Sequence, residues 1–65
     1  MTPAEVAARV RAIKEMAGDP EAAHGAEDDL RAEVLEAIRD GAKRPALLAY
    51  EALRTTEADF PRWTA

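Results

Sequence analysis

The residues best suited to chemistry in this chain are concentrated in one stretch, GDPEAAHGAEDDL, at positions 18–30. Imidazole and carboxylate groups bind metal ions, and they also serve as general acids and bases. Glu21, His24 and Asp28 follow one another at intervals of about one helical turn, so a helix would place them on one side as two or three ligands. The whole cluster consists of His24, Asp19, Glu21, Glu27, Asp28 and Asp29.

Neither metal binding nor catalysis is the expected role of this cluster. A structural zinc site needs four ligands, and the chain has no cysteine and no second histidine. The spacing also lacks the alternating oxygen donors and the turn glycine of a calcium-binding loop. Threonine is the only hydroxyl or thiol nucleophile besides one tyrosine, and so short a chain leaves little concavity for an active site. We therefore predict no metal, no cofactor and no enzymatic activity.

The cluster lies at the start of the second predicted helix, which spans residues 20–40. Asp19 is suited to the N-cap position, Pro20 to the first helical position, and Gly41 to the end of the helix. Gly25, inside this helix, is either a tolerated weak point or a site where another backbone approaches closely. The apolar positions that recur at helical spacing are Ala23, Ala26, Leu30, Val34, Ala37 and Ile38.

Glu27 is the residue whose position is unexpected for a solvated acid. When the helix is projected at about 100° per residue, Glu27 falls between Val34 and Ile38, inside the apolar stripe. Arg31 and His24 lie at the edge of the same stripe. A carboxylate on the core side of a helix is unfavourable unless it is paired with a donor or a cation.

The C-terminal segment FPRW can supply such partners. Arg62 carries a guanidinium group suited to a carboxylate, and the indole N–H of Trp63 needs an acceptor when the ring is buried. We predict that this tail folds back over the start of helix 2. Phe60 and Trp63 would complete the core, while Glu27 or His24 accepts the polar groups. The alternative is a frayed, solvent-exposed tail, which is common at chain ends.

Two further helices flank helix 2. TPAE at the N-terminus predicts a capping box between Thr2 and Glu5, and Gly18 predicts the end of this first helix, residues 3–17. The third predicted helix runs from Pro45 to Arg54. Its sequence PALLAYEAL is apolar on most faces, so it is expected to be the central helix. The most buried positions predicted for it are Leu48, Ala49, Ala52 and Leu53.

The segment TTEADF predicts a last short helical turn, capped by Thr55 or Thr56. The expected fold is therefore all-α, a small three-helix bundle with a short fourth helical turn and a docked C-terminal tail. Residues 1–65 form a single domain in this interpretation, since no linker, repeat or low-complexity segment divides them.

Composition excludes several classes of function. A net charge of −4 disfavours binding to nucleic acid or to anionic membranes, because both need clustered cations. The longest apolar run, ALLAY, is far too short to span a bilayer, and the N-terminal residues lack the apolar core of an export signal. The absence of cysteine fits a reducing compartment, so a cytoplasmic location is expected.

The order D-x-E-x-A-H-x-x-E-D, followed at a distance by R-W, resembles a group of small uncharacterised helical proteins of actinobacteria and of the phages that infect them. The resemblance covers nearly the whole chain. It implies an actinobacterial or phage source and no mechanism, since the group has no established activity. The residues that carry it here are Asp19, Glu21, Ala23, His24, Glu27, Asp28, Arg62 and Trp63.

Three functions are compatible with these features. The first is a protein-interaction module, such as a phage accessory protein that binds a host protein, and a homodimer is a variant of it. Met16 and Leu47 lie off the predicted core stripes and are candidate interface residues, unless they merely cover a neighbouring helix. The second is a DNA-binding regulator of helix-turn-helix type, which is disfavoured by the few outward cations. The third is an acidic mimic of nucleic acid, using the outward acids Asp28, Asp29, Glu33, Glu36 and Asp40.

Overall fold

Three α-helices and a short 3₁₀ helix make up the regular structure of the protein. The computed structural model describes residues 1–62. Within that range, α1, α2, α3 and the 3₁₀ helix are Pro3–Glu15, Pro20–Arg39, Pro45–Leu53 and Arg54–Glu57, and no strand is present. Each α-helix packs against the other two. The prediction of an all-α three-helix bundle with a short fourth helical turn is confirmed.

The first two helices begin where their capping residues predict. Thr2 Oγ1 accepts a hydrogen bond from the Glu5 amide, and the Glu5 carboxylate accepts one from the Thr2 amide, both at 3.2 Å. Asp19 Oδ1 accepts from the Ala22 amide at 3.3 Å at the start of α2. These bonds satisfy amides that have no partner inside the helix, and so they fix both helix starts.

The end of α1 differs from the prediction. The helix stops at Glu15, two residues early, and a hydrogen bond of 2.8 Å from the Asp19 amide to the Met16 carbonyl closes a tight turn. Gly18 does not adopt the left-handed conformation that commonly ends a helix, whereas Gly41, after α2, does, with φ of 89°. The turn is needed because the chain must reverse direction and reach the cap of α2 within a few residues.

The core lies where α1, α2 and α3 meet, and the segment after α3 completes it. Two ion pairs join α1 to its neighbours, Arg9 with Glu33 and Lys14 with Glu57, and both are largely exposed. Exposed pairs of this kind contribute little to stability, so burial of apolar side chains holds the bundle together. The buried apolar residues are Val6, Val10, Ile13, Ala23, Leu30, Val34, Leu48, Ala52, Ala58 and Phe60.

The prediction that α3 is the central, most buried helix is wrong. Only Leu48 and Ala52 of this helix are buried, Ala49 is half-buried, and Leu53 is 59% exposed. The reason is geometric: α1 and α2 cover one side of α3, and its other side has no element packed against it among residues 1–62. An apolar sequence on all faces therefore does not place a helix at the centre.

The turn that follows α3 also departs from the prediction. The 3₁₀ helix continues directly from Leu53 and has no side-chain cap. Thr56 Oγ1 instead donates to the Leu53 carbonyl at 2.9 Å, and Thr55 is fully buried. Neither threonine is the helix cap that the sequence predicts, because the chain never leaves helical geometry at this point.

Gly25 lies inside α2, and Arg44 lies just before α3. No atom lies within 4 Å of a Cβ placed at Gly25, so the close-approach interpretation is wrong and the glycine is a tolerated weak point of α2. Arg44, just before α3, adopts a left-handed conformation with φ of 56° and provides no side-chain cap.

None of the helices described within residues 1–62 is long and apolar enough to cross a membrane.

Candidate functional site

Glu27 is buried in the bundle, although it is charged. Its side chain is 1% exposed and lies in the apolar face of α2, where the projection of the helix places it. Arg62 Nε donates to both carboxylate oxygens at 3.1 and 3.3 Å, and Arg62 Nη2 donates to Oε2 at 3.0 Å. The structure therefore brings together Glu27 and Arg62, residues 35 positions apart in the sequence.

Arg62 also organises the backbone that carries it. Its guanidinium group donates to the carbonyls of Thr55, Ala58 and Phe60 at 2.8, 3.2 and 3.2 Å. The same group lies 3.9 Å from the centroid of the Phe60 ring, close enough for a cation–π interaction. Because Phe60 is 5% exposed, one arginine connects the core, the buried carboxylate and the chain reversal after the 3₁₀ helix.

Thr55 belongs to this cluster, and the sequence analysis did not identify that role. Arg31 Nη2 donates to Thr55 Oγ1 at 3.1 Å, while Arg31 Nη1 lies 3.7 Å from the Glu27 carboxylate. The spacing of Leu48, Ala52 and Thr55 follows one helix face, and this pattern was available as a signal. We call Glu27, Arg31, Thr55, Phe60 and Arg62 the tail-docking cluster.

His24 does not accept a hydrogen bond from Arg62. Its Nε2 lies 3.6 Å from Asp28 Oδ2 on the exposed side of α2, and Arg62 pairs with Glu27 instead. Trp63, the other predicted partner, lies outside the described residues. Within residues 1–62, no group of three or more histidine, aspartate or glutamate side chains is placed so that it could hold a metal ion.

The electrostatics of the tail-docking cluster favour a charged Glu27. Burial raises the pKa of Glu27, but hydrogen bonds from Arg62 and Thr55 and the charges of Arg31 and Arg62 outweigh it, so the pKa lies below its usual value. The hydrogen bond to Glu27 also raises the pKa of Arg62. These contacts hold the segment that carries Phe60 and Arg62 against α2.

Low pH should weaken the interaction between Glu27 and Arg62 and so lower the stability of the fold. A group whose pKa is lower in the folded state stabilises the fold above its unfolded pKa, 4.5 for glutamate, and loses that contribution as pH falls through the folded pKa. The free energy of unfolding is expected to decline between about pH 6 and about pH 3, and less steeply in Glu27→Gln. Urea unfolding across this range measures both slopes, and equal slopes would contradict the prediction.

Comparing wild type with Glu27→Gln separates the contribution of Glu27 to the pH dependence from that of the other ion pairs. Hydrogen bonds from Arg9 and Lys14 lower the pKa of Glu33 and Glu57, respectively. Both of these exposed carboxylates are unchanged in the Glu27→Gln variant. They contribute equally to the two proteins, so the difference between the slopes belongs to Glu27.

An open apolar surface lies between α2 and α3. It contains a groove of about 230 Å³, smaller than the roughly 300–1,000 Å³ of typical small-molecule sites. Arg31 lies at one end. The apolar residues lining this α2–α3 groove are Val34, Leu35, Ile38, Ala49, Ala52 and Leu53.

Large apolar side chains project around the groove. Leu35 is 67% and Tyr50 is 61% exposed, and Leu53 is nearly as open. The two candidate interface residues, Met16 and Leu47, are both 37% exposed, and Leu47 belongs to the same outward side of α3. The sequence analysis missed Leu35, Tyr50 and Leu53. It assigned Leu53 to the core and did not single out the other two, although the position of Leu35 outside the core arc of α2 was an available signal.

Another depression on the surface has a different character. It measures about 310 Å³ and lies along α1, between Met1 and Ala12. All of its lining residues come from that one helix and the residue before its cap, so it has no second wall against which a ligand could be held. The α2–α3 groove, by contrast, has two helical walls.

Comparison of the chain with protein-family models, with curated proteins and with solved structures finds no match.

Proposed function

We propose that this protein is a small, non-catalytic interaction module that binds a protein partner through the α2–α3 groove. The observation that carries the proposal is the exposure of Leu35 and Leu53 on the two walls of the groove. Of the five leucines in the chain, only Leu30 and Leu48 are buried. A small domain needs its large apolar residues in the core, so a cluster of them on the surface favours a binding role.

The setting we propose is the cytoplasm of a bacterial cell. The resemblance to small proteins of actinobacteria and their phages supports a phage accessory protein that binds a host protein. The cysteine-free composition supports a reducing compartment.

Binding to nucleic acid is the weaker alternative. A recognition helix should present cations or amides to the groove of the duplex, whereas the outward side of α3 presents Leu47, Tyr50 and Leu53, with Arg54 as its cation. A gel shift with duplex DNA at low salt distinguishes the two functions. A specific shift would support the regulator and count against the interaction module.

The proposal is tested by capture with matched variants. Wild-type protein, Leu53→Glu and Ala12→Glu are immobilised and exposed to an actinobacterial lysate, and bound proteins are identified by mass spectrometry. Both variants add one charge at an exposed helical position, but only Leu53 lines the groove. We expect a partner that wild type and Ala12→Glu retain and that Leu53→Glu loses.

Two controls make this result decisive. Circular dichroism must show that both variants keep the helical content of wild type, which is expected because each replaced side chain is exposed. The captured protein must then bind purified wild-type chain in calorimetry. If all three proteins capture the same set in equal amounts, the groove is not a docking site.

A further inference from the structure

Arg31 connects the tail-docking cluster with the α2–α3 groove. It lines one end of the groove, and its Nη1 lies 3.7 Å from the carboxylate of Glu27, which Arg62 also binds. Arg31 donates to the Thr55 hydroxyl, and Arg62 donates to the carbonyl of the same residue. The two arginines therefore share two partners, so the chain at position 62 lies beside the Arg31 end of the groove.

Arg31 has a polar atom that nothing in this part of the chain satisfies. Its Nε is buried and has no hydrogen-bond partner among residues 1–62, whereas buried donors in native proteins are normally paired. The side chain as a whole is 37% exposed, so it has room for a further contact. Guanidinium groups stack on aromatic rings, and an aromatic face can also accept an N–H weakly.

The groove beside Arg31 has the size of a single large side chain. Its volume of about 230 Å³ lies below the range of typical small-molecule sites, roughly 300–1,000 Å³. Its other lining residues are all apolar. An occupant that suits both the apolar walls and the guanidinium group combines a large apolar surface with an aromatic face, and tryptophan provides the most of both.

The chain offers such a residue at the right place. Three residues follow Arg62 in the sequence, outside the described range, and Trp63 is the one among them that is large and apolar. Consecutive Cα atoms are about 3.8 Å apart, so Trp63 starts next to Arg62 and its side chain reaches further. Glu27, which the sequence analysis proposes as an acceptor for the indole N–H, already accepts three hydrogen bonds from Arg62. The start of α2 is therefore a less suitable place for the indole than the groove.

We propose that the side chain of Trp63 docks into the Arg31 end of the α2–α3 groove, with its ring against the Arg31 guanidinium group. Val34 and Ala52, from the two helical walls, contact the ring. The docked ring removes apolar area of the groove from water, which stabilises this arrangement. Trp63 is thus an internal ligand of the groove.

An internal ligand changes how the groove binds a partner. A protein that docks there has to displace Trp63, so its apparent affinity is reduced in proportion to the fraction of molecules whose groove is free. Leu35 and Leu53, the most open residues of the groove, are where the partner makes its first contact. This consequence rests on the proposed function, whereas the docking of Trp63 does not.

Nuclear Overhauser effects locate the ring directly in a protein of this size. We expect contacts between the ring protons of Trp63 and the methyl groups of Val34 and Ala52. Contacts with the methyl group of Ala23 instead would place the ring over the start of α2 and overturn the proposal. Absence of contacts beyond the neighbouring residues in the sequence would overturn it as well.

Fluorescence quenching gives an independent test, because Trp63 is the only tryptophan in the chain. Acrylamide is the quencher of choice, since it is neutral and is not repelled by a charge that a variant adds. Leu53→Glu, at the groove, should raise the quenching constant several-fold, towards that of the chain unfolded in urea. Ala12→Glu, which adds the same charge at an exposed position of α1, should leave it unchanged. Equal quenching constants for the two variants would contradict the docking.

Occupation of the groove is tested with Nile red, a neutral dye that fluoresces in apolar surroundings. Trp63→Ala should bind more dye than wild type, and Trp63→Phe, which keeps an aromatic ring, should bind about as little as wild type. Adding Leu53→Glu to Trp63→Ala should remove the gain. Circular dichroism and a cooperative urea transition establish that each variant is folded. If Trp63→Ala does not fold, the Overhauser contacts and the quenching constants decide the question.

The docking and the proposed function fail separately. Equal dye binding by folded wild type and folded Trp63→Ala overturns the docking, and the capture experiment then decides whether the groove binds a partner. If the Overhauser contacts place Trp63 in the groove and no captured protein is sensitive to Leu53→Glu, the docking stands. The groove is in that case an intramolecular site, and the proposed function fails.

Discussion

Deletion of residues 60–65 is expected to unfold the protein under conditions in which wild type is folded. A domain of this size has a free energy of unfolding of roughly 3–10 kcal/mol, at about 0.05–0.15 kcal/mol per residue. Loss of a buried Phe side chain alone costs roughly 3–5 kcal/mol, and Phe60 is 5% exposed. The deletion also removes Arg62 and leaves the carboxylate of Glu27 without its main partner.

Point variants determine how much of this loss belongs to the aromatic ring. Phe60→Ala should lower the free energy of unfolding by roughly 3–5 kcal/mol. Tyr50→Ala is the matched control, because that ring is 61% exposed, and it should cost less than about 1 kcal/mol. Urea unfolding followed by circular dichroism gives both values. A deletion variant that still melts cooperatively near the temperature of wild type would show that the tail does not hold the bundle.

Local signals explain why the helix starts and the position of Glu27 could be predicted. Thr2 and Asp19 act through hydrogen bonds to amides three residues later, so their role depends on nothing distant in the sequence. The place of Glu27 follows from helical periodicity alone, because α2 buries one continuous face. The helix starts and the burial of Glu27 could therefore be predicted from local sequence.

Properties that depend on how the helices cover one another could not be predicted from the sequence. The sequence PALLAYEAL is apolar on nearly every face, and nothing within it shows that Leu48 is covered while Leu53 is open. Helical spacing could have indicated that Thr55 is buried, but not that its hydroxyl accepts a hydrogen bond from Arg31, a residue 24 positions earlier. Which faces of α3 are covered is decided by the positions of α1 and α2, and that decision creates the α2–α3 groove.

Glu27→Ala is expected to be the most damaging single change of a charged residue in the chain. Removing one partner of a fully buried ion pair typically costs roughly 3–5 kcal/mol. A smaller cost of about 1–3 kcal/mol is expected here, because the side chains of Arg62 and Arg31 are 32% and 37% exposed. Here the guanidinium groups of Arg62 and Arg31 would lose the carboxylate between them. Asp29→Ala, on the exposed side of the same helix, should change the free energy of unfolding by less than about 0.5 kcal/mol.

A double-mutant cycle shows whether Glu27 acts through Arg62. If the pair is the main contact of each side chain, Glu27→Ala combined with Arg62→Ala should cost less than the sum of the single changes, by about 0.5–3 kcal/mol. Arg62 also donates to three backbone carbonyls and lies against the Phe60 ring. Additive costs would mean that these contacts, and not the carboxylate, hold the tail. In that case Glu27 would be stabilised mainly by Arg31 and Thr55, and Arg62→Ala would leave the acid dependence of stability close to that of wild type.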